Sequence, residues 1–288
     1  MERELWLRIK SLLAKQRDRR PLKCTFTNAD IVLTFFWAVL HDRPIYWACD
    51  RKNWPVYDRR RPLPVPSTMT RRLRTRSVQA LIDQMESSLR ECFPDTTLHV
   101  VDGKPLPISG HSTDPDAGFG RAAAGMAKGY KLHLIYAENG NINAWDVKPM
   151  QVDERHVARD LIPRANIRGY LLADANYDAN HLYDLAADHR IQLLAPKRYR
   201  ESADLGHCTH SPARISALYL LGQEKTGWAR RLFARRADIE RFFGSLSSAS
   251  YGLTYLPPWI RRIDRVRRWV QAKLIVYQIA QIRRRISA

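Results

Sequence analysis

Three acidic side chains occupy positions from which a hard-metal site can be built. Asp102 ends the segment Leu98-His99-Val100-Val101-Asp102-Gly103, and Asp174 ends Tyr170-Leu171-Leu172-Ala173-Asp174. Short apolar runs of this kind read as strands, so each aspartate projects from the end of a rigid element. Glu240 lies in Arg235-Arg236-Ala237-Asp238-Ile239-Glu240-Arg241-Phe242-Phe243, on a helix whose apolar Ile239 and Phe243 require packing against the sheet. If the two strands are neighbours, the three carboxylates converge. Mg²⁺ takes oxygen ligands and keeps several waters, so a few carboxylates plus phosphate oxygens complete its shell. Two such ions ~3.5 to 4 Å apart activate an attacking oxygen and stabilise the leaving one in an in-line displacement at phosphorus, with no need of a histidine base. Each residue also has a plainer reading. Asp-Gly after a strand makes a turn, an Asp before a helix caps it, and Glu240 pairs with Arg236 at i, i+4. Asp178 is the better cap for a helix beginning at Ala179, which leaves Asp174 without that task.

The elements that must position these groups follow from periodicity. From Thr97 onward the pattern is alternating and β-branched over Leu98 to Val101, Tyr130 to Tyr136 and Ile142 to Val147. Glu138-Asn139-Gly140-Asn141 is a hairpin signal between the last two. A helix near Asp153 to Leu161, a strand Tyr170 to Ala173, a helix Ala179 to Asp188 and a strand Ile191 to Ala195 come next. Strands joined through helices pair in parallel. The polar stretch Arg198 to Leu232 reads either as an inserted lid or as a loop with one short helix at Pro212 to Leu221. A helix from Phe233 to Ser247 follows, then a basic amphipathic helix, Ile263 to Arg285. In the latter, Val266, Val270, Leu274 and Tyr277 share one face while Arg265, Arg268 and Lys273 point elsewhere. The order implies an α/β chain, a mixed sheet with helices packed on it.

Upstream, Asn28 is placed to cap an apolar helix over residues 28–40. After the Pro- and Arg-rich linker Arg59 to Pro66, Ser67 can cap a short helix carrying Arg71, Arg72, Arg74 and Arg76, and a second helix spans Val78 to Arg90. The pair is either a helix-turn-helix that lays arginines into a major groove or a solvated basic helix. The expected division is a small N-terminal all-α domain over residues 1–95 and a catalytic domain over residues 96–288.

Composition bears on the partner. The chain has 288 residues, enough for one large domain or two unequal ones, and 45% apolar with 27% charged residues excludes intrinsic disorder. Its net charge of +19 and pI near 10.2 point to a polyanion, with nucleic acid ahead of an anionic membrane surface. Residues 1–95 hold 19 basic and 11 acidic side chains, residues 96–224 hold 14 and 15, and residues 225–288 hold 15 and 3. Basic flanks therefore suit phosphates while the neutral middle keeps its carboxylates for another purpose. The longest apolar run, Ile31 to Leu40, contains Thr34 and falls far short of the ~20 residues a bilayer span needs. With no apolar N-terminal signal segment the chain reads as cytoplasmic. Cys24, Cys49, Cys92 and Cys208 have no paired spacing, and His207-Cys208-Thr209-His210 lacks a second ligand pair, so it reads as an exposed loop rather than a zinc site.

The stretches VVDGKPLP (100–107), KGYKLHLI (128–135), YLLADANYDAN (170–180) and ARRADIERFFGSL (234–246) together resemble bacterial insertion-sequence transposases with an Asp-Asp-Glu active site on a ribonuclease-H-like fold. The resemblance covers about residues 96–285. It implies that Asp102, Asp174 and Glu240 are the catalytic, metal-binding triad for two Mg²⁺, with Mn²⁺ also suited to an oxygen site. It places Tyr177 and Asp178 in the second motif and Arg236 against the DNA end. The helical third motif of the family carries Tyr, Arg, Glu and Lys, and here those slots hold Phe233, Arg236, Glu240 and Ser247. Lys225, Arg230, Arg231 or Arg241 are candidates to replace the missing lysine. The function implied is a nucleoid-associated DNA transposase that binds inverted-repeat ends, cleaves them with metal and joins them to target DNA, working as a homodimer on double-stranded DNA. Alternatives are a catalytically inactive DNA-binding derivative and a metal-dependent nuclease of the same fold.

Overall fold

The computed structural model of the chain describes residues 2–18, 24–198, 211–222, 227–248 and 251–286. Its helices and strands, in chain order, are α1 (Glu2–Ala14), α2 (Asn28–Leu40), α3 (Ile45–Ala48), α4 (Pro66–Arg72), α5 (Arg76–Arg90), β1 (Leu98–Pro107), β2 (Gly118–Ala122), β3 (Gly125–Ala137), β4 (Ile142–Pro149), α6 (Glu154–Ala165), β5 (Gly169–Leu172), α7 (Asn180–Asp188), β6 (Ile191–Leu194), α8 (Pro212–Gly222), α9 (Trp228–Ala234), α10 (Ala237–Ser248) and α11 (Ile263–Ile286). Two compact units emerge. One comprises Met1–Cys92, Ser248–Ile260 and Arg268–Ala288, the other Phe93–Ser247 and Arg261–Arg267. Most of α11 therefore groups with α1 to α5, where the sequence reading had placed it with the sheet.

In the first unit the described elements are helices packed around tryptophans. Trp37 of α2 stacks on Trp54 with ring centroids 5.0 Å apart, and Trp6 of α1 meets Trp37 edge-on at 5.0 Å. Each indole N–H has an acceptor: Asp58 for Trp6, the Asn53 carbonyl for Trp37 and the Ala48 carbonyl for Trp54. The cap of α2 is Thr27 rather than Asn28, because Asp30 lies three residues on and closes a reciprocal capping box. Asn28 is instead the first residue of the helix, buried, and its side chain serves another purpose described below. Helix α4 starts on Pro66 behind Val65, not on a Ser67 cap, since proline tolerates the first turn. The central turns of α11 depart from the amphipathic expectation. Every residue from Trp269 to Ala280 is buried, and Lys273 is fully enclosed with its ammonium 2.8 Å from Asp42.

The second unit holds a six-stranded mixed sheet in the order β2-β3-β1-β5-β6, with β4 pairing β3. β1 runs antiparallel to β3 and parallel to β5, and β5 is parallel to β6. The foreseen hairpin is β3 and β4, antiparallel around Asn139 and Gly140. β2 was not foreseen, because Gly118-Phe119-Gly120-Arg121-Ala122 carries no alternating or β-branched signal; its pairing with the start of β3 makes it a strand. One glycine is required where β5 meets β1. Gly169 has φ +91°, and a Cβ there would stand 2.4 Å from the Thr97 carbonyl oxygen. Its absence lets Tyr170 N–H donate to that same oxygen at 2.7 Å and start the parallel pairing that carries Asp174 toward Asp102.

Candidate active site

Asp102 and Asp174 are brought together by register. The last paired rung between β1 and β5 is Val100 with Leu172, so two residues further on come Asp102, within β1, and Asp174, just past the end of β5. Burial pushes the Asp102 carboxyl up to about 6; the Gly103 N–H at 2.7 Å and Arg236 oppose the rise, whereas Asp174 and Glu154 add to it. Asp174 has a structural task after all. It caps the 3-10 turn Ala175–Tyr177, accepting from Asn176 N–H at 2.8 Å and from the Asn176 amide at 3.2 Å. Asp178 in turn does not cap α7, which starts behind Ala179 with no side-chain cap. The Asp178 carboxylate accepts from the guanidinium of Arg214 instead.

Helix α10 lies over the face of the sheet that carries Asp102. Phe242 packs on Tyr136 with rings tilted and centroids 4.2 Å apart, and Lys104 of β1 donates to Ser247 Oγ at 2.6 Å. Glu240, in the first turn of α10, is turned outward. Its side chain is 70% exposed and pairs with Arg236 at 3.4 Å. Asp174 is thus near enough to act on Asp102, and among the described residues no three His, Cys, Asp or Glu side chains stand close enough to hold a metal ion. The cation at Ser247 is Lys104, a residue on a strand, whereas Arg230, Arg231 and Arg241 are carried on α9 and α10 and Lys225 lies outside the described residues.

Tyr177 is buried, not presented to a ligand at the surface. Its hydroxyl has no hydrogen-bond partner among the described residues, and burial pushes its pKa well up, with Glu154, Asp102 and Asp174 adding to the rise. Glu154 was missed in the sequence. It sits in the first turn of α6, held by Lys131 at 2.7 Å, and its Oε1 would lie 3.1 Å from a Cβ at Gly103. The only sequence signal was its position after Asp153, which caps α6. His133 is a second buried polar side chain near this point, with both ring nitrogens unpartnered and its pKa pushed down to about 3 by burial.

Of the three arginines expected to meet DNA from the first unit, Arg71 and Arg74 are exposed. Arg72 is not. Its guanidinium is buried against the Phe26 carbonyl at 3.1 Å and Asn28 Oδ1 at 2.7 Å, so it ties α4 to the start of α2. The segment His207-Cys208-Thr209-His210 lies outside the described residues, whereas the short helix expected at Pro212 is α8. A cleft of about 500 Å³ lined by Thr97, Gly169, Tyr170 and Ile191 opens at the opposite strand ends from Asp102 and Asp174.

Residues 94–279 match the family described as transposase DDE domain, and the chain belongs to that family of insertion-sequence transposases. No curated protein sequence matches it. DDE transposases bind DNA and generally use divalent metal ions. No described helix is long and apolar enough to cross a membrane.

Proposed function

We propose that the protein is an active DNA transposase whose catalytic carboxylates are Asp102, Asp174 and Glu240, on a sheet of the ribonuclease-H-like kind. The observation that carries the reading is the Asp102 and Asp174 pair, each two residues past the last rung between adjacent parallel strands, with the buried Asp102 carboxyl raised to about 6. The donor set fits a divalent ion. Its groups are carboxylate oxygens, the ligands Mg²⁺ and Mn²⁺ favour, and the like charge on Asp102 and Asp174 is relieved by a cation. Asp102, Asp174 and Glu240 would hold up to two ions, which when bound polarise an attacking oxygen and neutralise charge on the leaving one.

The chain's own residues supply the rest. Asp102 and Asp174 are fixed by backbone donors at Gly103 and Asn176, so their oxygens are oriented before substrate arrives. Glu240 has to exchange Arg236 for the site, and the freed Arg236 guanidinium then faces a phosphate of the DNA end. Arg71 and Arg74 are offered to DNA from α4 and the turn after it, and synapsis of two ends calls for a homodimer. Such a protein works at the nucleoid in the cytoplasm.

A binding-only derivative is the second reading, favoured by the outward set of Glu240. The two separate in one assay: supercoiled plasmid carrying the DNA that flanks the gene, incubated with Mg²⁺, Mn²⁺ or EDTA, then sequencing of every new 3′ end. Metal-dependent breaks at defined repeat termini, some joined to new sites, support the transposase. Binding with no break in either metal supports the derivative, and breaks without sequence preference or joining support a nuclease.

A further inference from the structure

Lys104 stands on the same strand face as Asp102, two residues along β1 and therefore about 7 Å away. Its ammonium is half-buried, 2.6 Å from Ser247 Oγ and 6.0 Å from the centroid of Phe243. Ser247 uses its own proton on the Phe243 carbonyl at 2.8 Å, so it gives Lys104 a lone pair and nothing more. No carboxylate lies within ion-pair distance of Lys104 among the described residues. Lys131 of β3, by contrast, has Glu154 at 2.7 Å. An ammonium with three donors, one neutral acceptor and an aromatic ring is left short of negative charge, and burial sharpens the deficit.

Its surroundings say what completes it. Asp102 shares this face of β1, and Asp174 and Arg236 stand near enough to act on its charge, so an anion reaching Lys104 lies alongside whatever reaches Asp102. We propose that Lys104 binds a backbone phosphate of the DNA strand held at Asp102, one that flanks the scissile phosphate, and so sets the strand's position along β1. This inference rests on the transposase reading of the site. In the free protein Ser247 holds the ammonium in place; on binding, a phosphate oxygen takes up the donors that Ser247 cannot.

The test measures equilibrium binding of the full chain to a short duplex carrying the sequence that flanks the gene, in EDTA, over a range of salt. Each phosphate contact adds about 0.9 to the slope of log affinity against log salt. Lys104→Gln, which keeps a hydrogen bond to Ser247 without the charge, is expected to lower the slope by about that amount and to weaken binding on the order of tenfold. Lys104→Arg is expected to keep the slope. The paired exchange Lys104→Ser with Ser247→Lys, which returns the cation to the same spot from the helix, is expected to restore it. A Lys104→Gln protein with the wild-type slope overturns the inference, whatever its melting temperature, because a tether between β1 and α10 alone would change stability and not counterion release. The transposase reading is scored separately by metal-dependent cleavage with wild type and its loss in Asp102→Asn. If wild type cleaves and Lys104→Gln keeps the full slope, only the inference falls; if wild type neither binds nor cleaves the duplex, both fall.

Discussion

Arg214 holds Asp178 in a two-pronged grip, Nε at 2.7 Å and Nη2 at 2.8 Å, with both side chains buried. The pair anchors α8 to the corner that follows Asp174, and the Arg198 N–H adds a third bond to the carboxylate at 3.0 Å. Removing one partner leaves a buried charge uncompensated, at a cost of about 3 to 5 kcal/mol. Asp178→Ala and Arg214→Ala are each expected to lose that much in urea unfolding, and the double variant to lose less than their sum. Single variants that unfold within about 1 kcal/mol of wild type would show the grip to be incidental.

Asp102 sets function against stability. Its folded-state pKa of about 6 lies above the ordinary carboxylate value, so the folded protein binds the proton more tightly than the unfolded chain does. Stability from this group is therefore highest at low pH, falls as pH rises from about 4 to 6, and stays reduced above that. Asp102→Asn removes the penalty. At pH 7 without metal it is expected to raise stability by about 2 to 3 kcal/mol while abolishing cleavage and sparing DNA binding. A destabilised Asp102→Asn protein, or one that still nicks DNA, contradicts the assignment.

How far the sequence could be read depends on what each feature rests upon. The strands that lead to Asp102 and Asp174 have their own apolar runs, and the helix of Glu240 has its own apolar face, so local pattern found all three elements, although the single helix expected from Phe233 to Ser247 is broken between Ala234 and Ala237. β2 has no such pattern and exists through its partner. Glu154 and Lys104 were invisible for the same reason: their meaning lies in the contact of a helix with the sheet, Glu154 of α6 with Lys131 of β3 and Lys104 of β1 with Ser247 of α10. Capping shows the limit most clearly. Thr27 and Asn28 are both good caps and adjacent, and only the reach of Asp30 back to Thr27 decides between them. The α11 helix misled because Lys273 scans as a surface residue, yet Asp42 supplies a partner that permits its full burial.

Glu240 offers a cleaner separation of roles than either aspartate. Its side chain is 70% exposed and its ion pair with Arg236 is a surface one, worth about 0.5 kcal/mol or less to folding. Glu240→Gln is accordingly expected to melt like wild type and to bind end DNA at least as well, since a negative charge near phosphate is lost. Cleavage in Mg²⁺ should fall by several orders of magnitude if the carboxylate enters the site. Undiminished cleavage would remove Glu240 from the catalytic set and leave Asp102 and Asp174 to be completed by another carboxylate, with Glu154 the next to substitute.

The arginines of α4 and its following turn divide in the same manner, by burial and not by position. Arg72 is enclosed and satisfies the Phe26 carbonyl and Asn28, whereas Arg71 and Arg74 on either side of it are exposed. Arg72→Ala takes the guanidinium away from the Phe26 carbonyl and from Asn28 Oδ1, so a loss of about 2 to 4 kcal/mol in unfolding free energy is expected. Arg71→Ala and Arg74→Ala should leave unfolding unchanged within about 0.5 kcal/mol. If this surface meets DNA, each of the latter two lowers the salt dependence of binding by about one phosphate contact. Equal salt slopes in wild type and the Arg71→Ala, Arg74→Ala double variant would move the DNA-binding surface of this unit away from α4, and an Arg72→Ala protein as stable as wild type would refute its structural role.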